Sequence, residues 1–277
     1  VLSSRIEGTQ ATVTDLYALE AQTPLFELPE RPEDAREVQN YVLALEHGLA
    51  SDLPISGRLL RDMHRVLMQG VRGRNRSPGE FRTIQNWIGP PGASRRDATY
   101  VPPPPGDAML RALSDLEGFI HADNELPALV EIALVHYQFE AIHPFLDGNG
   151  RIGRLLITLL LLQRGLLSQP LLYLSAYFER YRSAYYDYLL TISQKGAWED
   201  WLRFFLRGVA RESHDAAERA QKLLDQRETW RKHYQEERAS ANLLAALDQL
   251  IAQPIITARR MEAILQVTHR SAQKIID

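Results

Sequence analysis

Between two strongly apolar runs, residues 129–142 and 155–162, the chain places the segment HPFLDGNGRIGR, His143 to Arg154. Runs of that length and composition must be buried, yet the link between them holds a proline and three glycines. Pro144 disfavours helical geometry at His143, so the first run ends there. Gly148 and Gly150 let the backbone turn sharply and approach another group closely. The chain therefore has to leave its core and re-enter it within a few residues, as buried helix, tight loop and second buried helix. The second run is too short to span a bilayer and is bounded by Arg154 and Arg164, so no membrane contact is expected.

Apolar spacing of three and four recurs in most of the chain, so the fold class expected is all-α. Helices are predicted over residues 35–49, 57–69, 106–121 and 127–142, after Gly150, and through 201–205. Residues 82–101 (RTIQNWIGPPGASRRDATYV) break the pattern, with two short β-prone runs around a Pro/Gly/Ser/Arg turn. That is a hairpin signal, ended by the four prolines at 102–105. After Gly208 a charged, solvated connecting helix is predicted, and residues 240–277 give three short helical patterns with breaks near Pro254 and at Gln266–Val267. Thr268 is placed as N-cap of the last one, and the whole resembles a helix-turn-helix.

Two chemical readings of the central loop fail. Gly148 to Gly153 has the G-x-G-x-x-G spacing of a dinucleotide turn, but a helical run precedes it and no acid follows at the required distance. Glu140 and His143 have the i, i+3 spacing of a di-iron site, but no second E-x-x-H occurs. What remains is an anion site. A helix starting near Asn149 presents unpaired N–H groups and the positive end of its dipole. Arg151 and Arg154 lie on one face of its first turn, and two cations at a helix N-terminus make sense with an anion between them. Asp147 stands where a magnesium ligand beside phosphate would stand. A base, a metal ligand, an anion nest and two clamps describe phosphoryl or nucleotidyl transfer.

The segment resembles the signature of the Fic family, H-P-F-x-[DE]-G-N-G-R-x-x-R, and matches it at every fixed position. SSRIEG, Ser3 to Gly8, is similar to the inhibitory motif [S/T]-x-x-x-E-[G/N] of members that carry their own brake. The resemblance implies a Fic-type helical core with a small β-hairpin flap, followed by a helix-turn-helix-like module of the winged-helix kind. It divides the chain into an N-terminal inhibitory region, 1–54, a catalytic core, 55–207, and an appendage, 208–277. It implies transfer of AMP from magnesium-ATP to a tyrosine, serine or threonine hydroxyl of a protein target docked on the flap, the chain itself included. In that reading His143 is the base and Asp147 binds Mg2+. Asn149 and the backbone at Gly148 and Gly150 hold the α- and β-phosphates with support from Arg151. Arg154 takes the γ-phosphate, Glu7 blocks it, and Phe145 anchors the loop. Fic relatives also move UMP, phosphocholine or phosphate, or remove AMP; the intact pattern at Asp147 and Arg154 favours ATP as AMP donor.

Composition sets the remaining bounds. A net charge of −3 and a pI near 6.3 give no bulk attraction to nucleic acid. In the last segment Arg259, Arg260, Arg270 and Lys274 stand against Asp248, Glu262 and Asp277, thin for a phosphate-tracking surface. DNA binding through this module stays the second reading. Without cysteine there is no disulfide scaffold or zinc-thiolate site, which fits a reducing compartment and a cytoplasmic location. A homodimer is compatible with the sequence. The chain starts at Val1 and stops inside a helical pattern, so both ends read as trimmed.

Overall fold

The computed structural model describes residues 1–12, 32–71, 76–90, 92, 94–123, 125–237, 239–252 and 257–276. They fall into two units. One comprises described residues 1–12 and 32–212, the other described residues from 213 onwards. Among the described residues no helix is long and apolar enough to cross a membrane.

The first unit is built around the two apolar runs. They form α5 (Ala128–Ile142) and α6 (Asn149–Gln163), which follow α1 (Leu2–Arg5), α2 (Pro32–Ala50), α3 (Gly57–Leu67) and α4 (Asp107–His121). Ile152, Leu155, Leu156 and Leu160 of α6 and Ile132, Val135 and Phe139 of α5 are fully or almost fully buried. A helix apolar on every side belongs in the middle of a core, and α5 and α6 pack directly against each other there. The outer helices are amphipathic. α3, capped by Ser56, buries Leu59, Leu60, Met63 and Leu67, and α4 buries Met109, Leu113, Leu116 and Ile120 at spacings of four, three and four. Beyond α6 come α7 (Leu174–Arg180), α8 (Arg182–Lys195) and the start of α9 (Trp198–Glu236). Trp201 closes that side, its indole N–H donating to the Ala133 carbonyl at 3.0 Å.

Two sequence expectations take a different form. The helix predicted at 201–205 and the charged helix after Gly208 are one continuous element of 39 residues. A glycine inside a helix costs only about 1 kcal/mol, and the flanking turns outweigh it. Where a hairpin of two runs is expected, the described residues hold one antiparallel bridge, Ile88 to Tyr100, and a 3-10 turn at Arg95–Asp97. The reason lies in the backbone donors. Pro102 to Pro105 have no N–H to offer and the Arg82 N–H goes to the Pro144 carbonyl, so the described residues show no further ladder pair.

In the second unit the tail of α9 is mostly solvated. Arg227 and Arg231 grip the two oxygens of Asp248 on α10 (Ala241–Ala252), each at 2.6 Å. α10, α11 (Ala258–Leu265) and α12 (His269–Ile276) share a small core of Ala246, Met261 and Ala272. Gln266 takes a left-handed conformation and ends α11, and the Thr268 hydroxyl accepts the Ser271 N–H as an N-cap. The break expected near Pro254 lies outside the described residues.

Candidate active site

The loop between α5 and α6 is held from three sides. His143 ends α5 with φ 50° and ψ 58°, left-handed for a residue with a Cβ, a conformation costing about 1–3 kcal/mol. Arg82 Nε donates to the His143 carbonyl at 2.9 Å, and the Arg82 N–H donates to the Pro144 carbonyl at 2.9 Å. Asn86 donates to the Phe145 carbonyl at 3.0 Å. Beneath the loop, the fully buried Phe145 ring stacks on His64 with centroids 3.9 Å apart. His64 Nδ1 accepts the Gly79 N–H, so its proton sits on Nε2, which donates to the Asp147 carbonyl at 3.0 Å. Burial holds the His64 pKa down to about 4, keeping that neutral tautomer in place.

Asn149 is part of the clamp. The sequence sets it on the phosphates, but its amide accepts from the Phe145 N–H and donates to the Phe145 carbonyl, both at 2.8 Å. The cause is burial: a carboxamide 2% exposed satisfies both ends internally. What Asn149 retains for an anion is its backbone N–H. The first bond of α6 runs from Ile152 to Gly148, so the N–H groups of Asn149, Gly150 and Arg151 precede it. Gly148, left-handed at φ 77°, starts the helix.

His143, Asp147, Gly148, Asn149, Gly150, Arg151, Arg154 and Glu7 all line one cavity of about 720 Å³, within the usual range for small-molecule sites. His143 Nδ1 lies 3.2 Å from the Glu140 carbonyl. A carbonyl only accepts, so Nδ1 carries the proton and the Nε2 lone pair is basic. Burial lowers the His143 pKa to about 4, so the ring is neutral near pH 7. Asp147 Oδ1 accepts the Gly148 N–H at 2.6 Å and stands 3.4 Å from Arg151 Nη2. Among the described residues no cluster of three or more acids or histidines has metal-ligand geometry. The Asp147 carboxylate, beside the N-terminus of α6, is the group here that could hold a magnesium ion completed by phosphate and water oxygens.

Glu7 enters this site from the N-terminal segment. Its Oε1 lies 2.7 Å from Arg154 Nη2 and its Oε2 2.9 Å from Arg151 Nε, so it engages both arginines and not Arg154 alone. Burial by itself would push the Glu7 pKa up, but the Arg154 and Arg151 charges outweigh it and hold the carboxylate below its ordinary value. A Cβ added to Gly150 would lie 2.5 Å from Glu7 Oε1 and 2.8 Å from Arg154 Nη1. A side chain at position 150 would therefore crowd the Glu7 carboxylate and the Arg154 guanidinium. Arg154 also donates from Nε to the Ser3 hydroxyl at 2.8 Å and from Nη2 to the Ser3 carbonyl at 2.9 Å.

Several residues around the site carry no motif. Arg82, Asn86 and His64 hold the loop, and Glu140 lines the cavity with Oε1 buried and packed against Gly153, its pKa raised to about 7 by burial. The one available signal was His64, a polar residue on the apolar face of α3.

Residues 54–161 match the family model described as Fic/DOC family, and residues 1–50 match that described as Fic/DOC family N-terminal. The protein adenylyltransferase Fic of Culex quinquefasciatus is 34% identical over 128 residues, 46% of this chain and 22% of that one. Its namesake in Drosophila erecta is 30% identical over 183 residues, 64% of this chain and 32% of that one. The chain thus spans about a fifth to a third of the length of these relatives. A Fic family protein from Desulfovibrio desulfuricans G20 superposes with a TM-score of 0.66 at 23% identity, covering 99% of this chain and 74% of that one. Fic-1 from C. elegans gives 0.61 at 21% identity over 79% and 62%. At those identities the likeness is one of fold.

Proposed function

Because the chain belongs to the Fic/DOC family, matched over residues 1–50 and 54–161, we propose that it transfers AMP from magnesium-ATP to a protein hydroxyl and restrains itself through Glu7. The observation that carries this reading is the shared cavity. A neutral histidine with a free Nε2, one exposed-edged carboxylate and the N-terminus of α6 with two buried arginines all open onto it.

In this mechanism His143 Nε2 takes the proton of the attacking hydroxyl as its oxygen bonds to the α-phosphorus. The bond from that phosphorus to the bridging oxygen breaks, and pyrophosphate leaves. The N–H groups of Asn149, Gly150 and Arg151 bear the phosphate charge with the dipole of α6. Asp147 would hold magnesium, which when bound neutralises phosphate charge. Arg154 takes the γ-phosphate and Arg151 supports the phosphates beside it. Glu7 occupies both guanidinium groups, so nucleotide binds productively only after Glu7 is displaced. The division into an inhibitory region at 1–54, a catalytic core at 55–207 and an appendage at 208–277 follows this assignment of roles.

The target is assigned to the edge next to the Ile88–Tyr100 bridge, where Ile84, Trp87 and Val101 are exposed and Trp87, Ile88 and Tyr100 line the cavity. The three-helix appendage is read as a helix-turn-helix-like contact module, with protein favoured over DNA because Arg227 and Arg231 are already paired with Asp248. The cytoplasm, where ATP is supplied, is its proposed place. The test is to supply ATP labelled at the α- or the γ-phosphate: α-label on protein supports AMP transfer, whereas γ-label or none overturns it.

A further inference from the structure

The N-terminal segment is gripped on both sides of Glu7. Upstream, Arg154 holds Ser3. Downstream, two carboxylates one turn apart on α2 hold the next residues: Asp34 Oδ2 accepts the Gln10 N–H at 2.9 Å, and Glu37 Oε2 accepts the Thr9 hydroxyl at 2.6 Å. The Asp34 contact is exposed, but Thr9 and Glu37 are 3% and 1% exposed. The same Oε2 of Glu37 lies 3.8 Å from Arg151 Nη1.

A carboxylate buried so deeply persists only with donors and a cation near it. Here one oxygen serves both a hydroxyl of the inhibitory segment and a guanidinium of the nucleotide site. Arg151 meanwhile has a competing partner, Asp147, at 3.4 Å. Arg151 Nη2 already donates to Asp147 Oδ1, so Glu37 and Asp147 share one guanidinium from its two ends.

We propose that Glu37 is a positioning residue with two duties. It clasps the inhibitory segment through Thr9, and it holds the Nη1 end of Arg151 in place for the nucleotide once Glu7 has left. This rests on Glu7 as brake and Arg151 as phosphate contact. Glu37 lies outside the central motif, on α2, which packs against α6.

The two duties predict opposite signs for one substitution. With Glu7 present, Glu37→Gln and Thr9→Val each loosen the clasp, so amide hydrogen exchange in residues 2–9 quickens at least threefold and AMP transfer rises by a similar factor. In a Glu7→Gly background, Glu37→Gln weakens magnesium-ATP binding about tenfold by calorimetry and lowers transfer, whereas Thr9→Val changes neither. A Glu37 that only supports the fold would lower transfer in both backgrounds, and that pattern overturns the assignment. So does unchanged exchange in Thr9→Val, or unchanged nucleotide affinity in the Glu37→Gln, Glu7→Gly chain. Exchange and affinity are read without turnover. If no variant transfers AMP, the proposed activity fails while these two measurements still decide the role of Glu37.

Discussion

Glu7 Oε1 and Arg154 Nη2 lie 2.7 Å apart across 147 residues of sequence, and Glu7 Oε2 reaches Arg151 as well. One carboxylate thereby occupies both guanidinium groups proposed to receive the phosphates beside the N-terminus of α6. Glu7→Gly should raise AMP transfer tenfold or more, which asks for only about 1.4 kcal/mol of competition with nucleotide. Arg154→Ala should not reproduce the gain, since it removes a clamp together with the brake's partner. Equal transfer by the Glu7→Gly and unaltered chains would remove Glu7 from any inhibitory role.

His143→Ala deletes the proton acceptor and no phosphate contact. Transfer should fall 10²–10⁴-fold, the usual cost of losing a general base, while nucleotide affinity measured by calorimetry stays within about twofold. Because the ring is neutral down to about pH 4, protonation of His143 should not slow transfer between pH 8 and 6. A rate that drops tenfold over that interval with the ordinary histidine midpoint would contradict the buried setting of the ring.

Asp147→Ala should shift the magnesium titration of transfer to higher concentration as well as lower the maximum, because it removes the carboxylate proposed to hold the metal. A titration midpoint that does not move would exclude Asp147 as the metal's ligand.

Glu140 gives a pH signature in stability. Burial raises its pKa to about 7 in the folded chain from an ordinary 4.5. Between those values the folded state binds more protons than the unfolded one, so stability falls as pH rises from about 4.5 to 7 and then levels off. Glu140→Gln removes that slope. Relative to the unaltered chain it should gain on the order of 1–3 kcal/mol at pH 8 and nothing near pH 4. Denaturant unfolding at both pH values checks this, and an equal difference at the two would refute it.

Much of the fold was legible because helical burial leaves a periodic trace. The all-round apolar character of α5 and α6, the polar stop at His143–Pro144 and the Thr268 cap were visible in order along the chain. Of the expected hairpin the described residues hold the Ile88–Tyr100 bridge. The prolines at 102–105 that stop it are visible in the sequence, whereas the loss of the Arg82 N–H to the distant Pro144 carbonyl is not.

What the sequence by itself determined is the chemistry at the loop: a base, an acid, glycines and two arginines at fixed spacing, all within one turn of helix and its approach. Such neighbours meet wherever the rest of the chain goes, since helix geometry alone brings Arg151 and Arg154 to one face. Only the tertiary structure decided which side chains remain free for a ligand. Asn149 lost its amide to Phe145, Arg151 acquired Glu7, Glu37 and Asp147 together, and His64 became the support beneath Asp147. The physical reason is burial. Once these polar groups leave water, each must find a partner wherever the packing of distant helices supplies one, and no spacing along the chain records where that is.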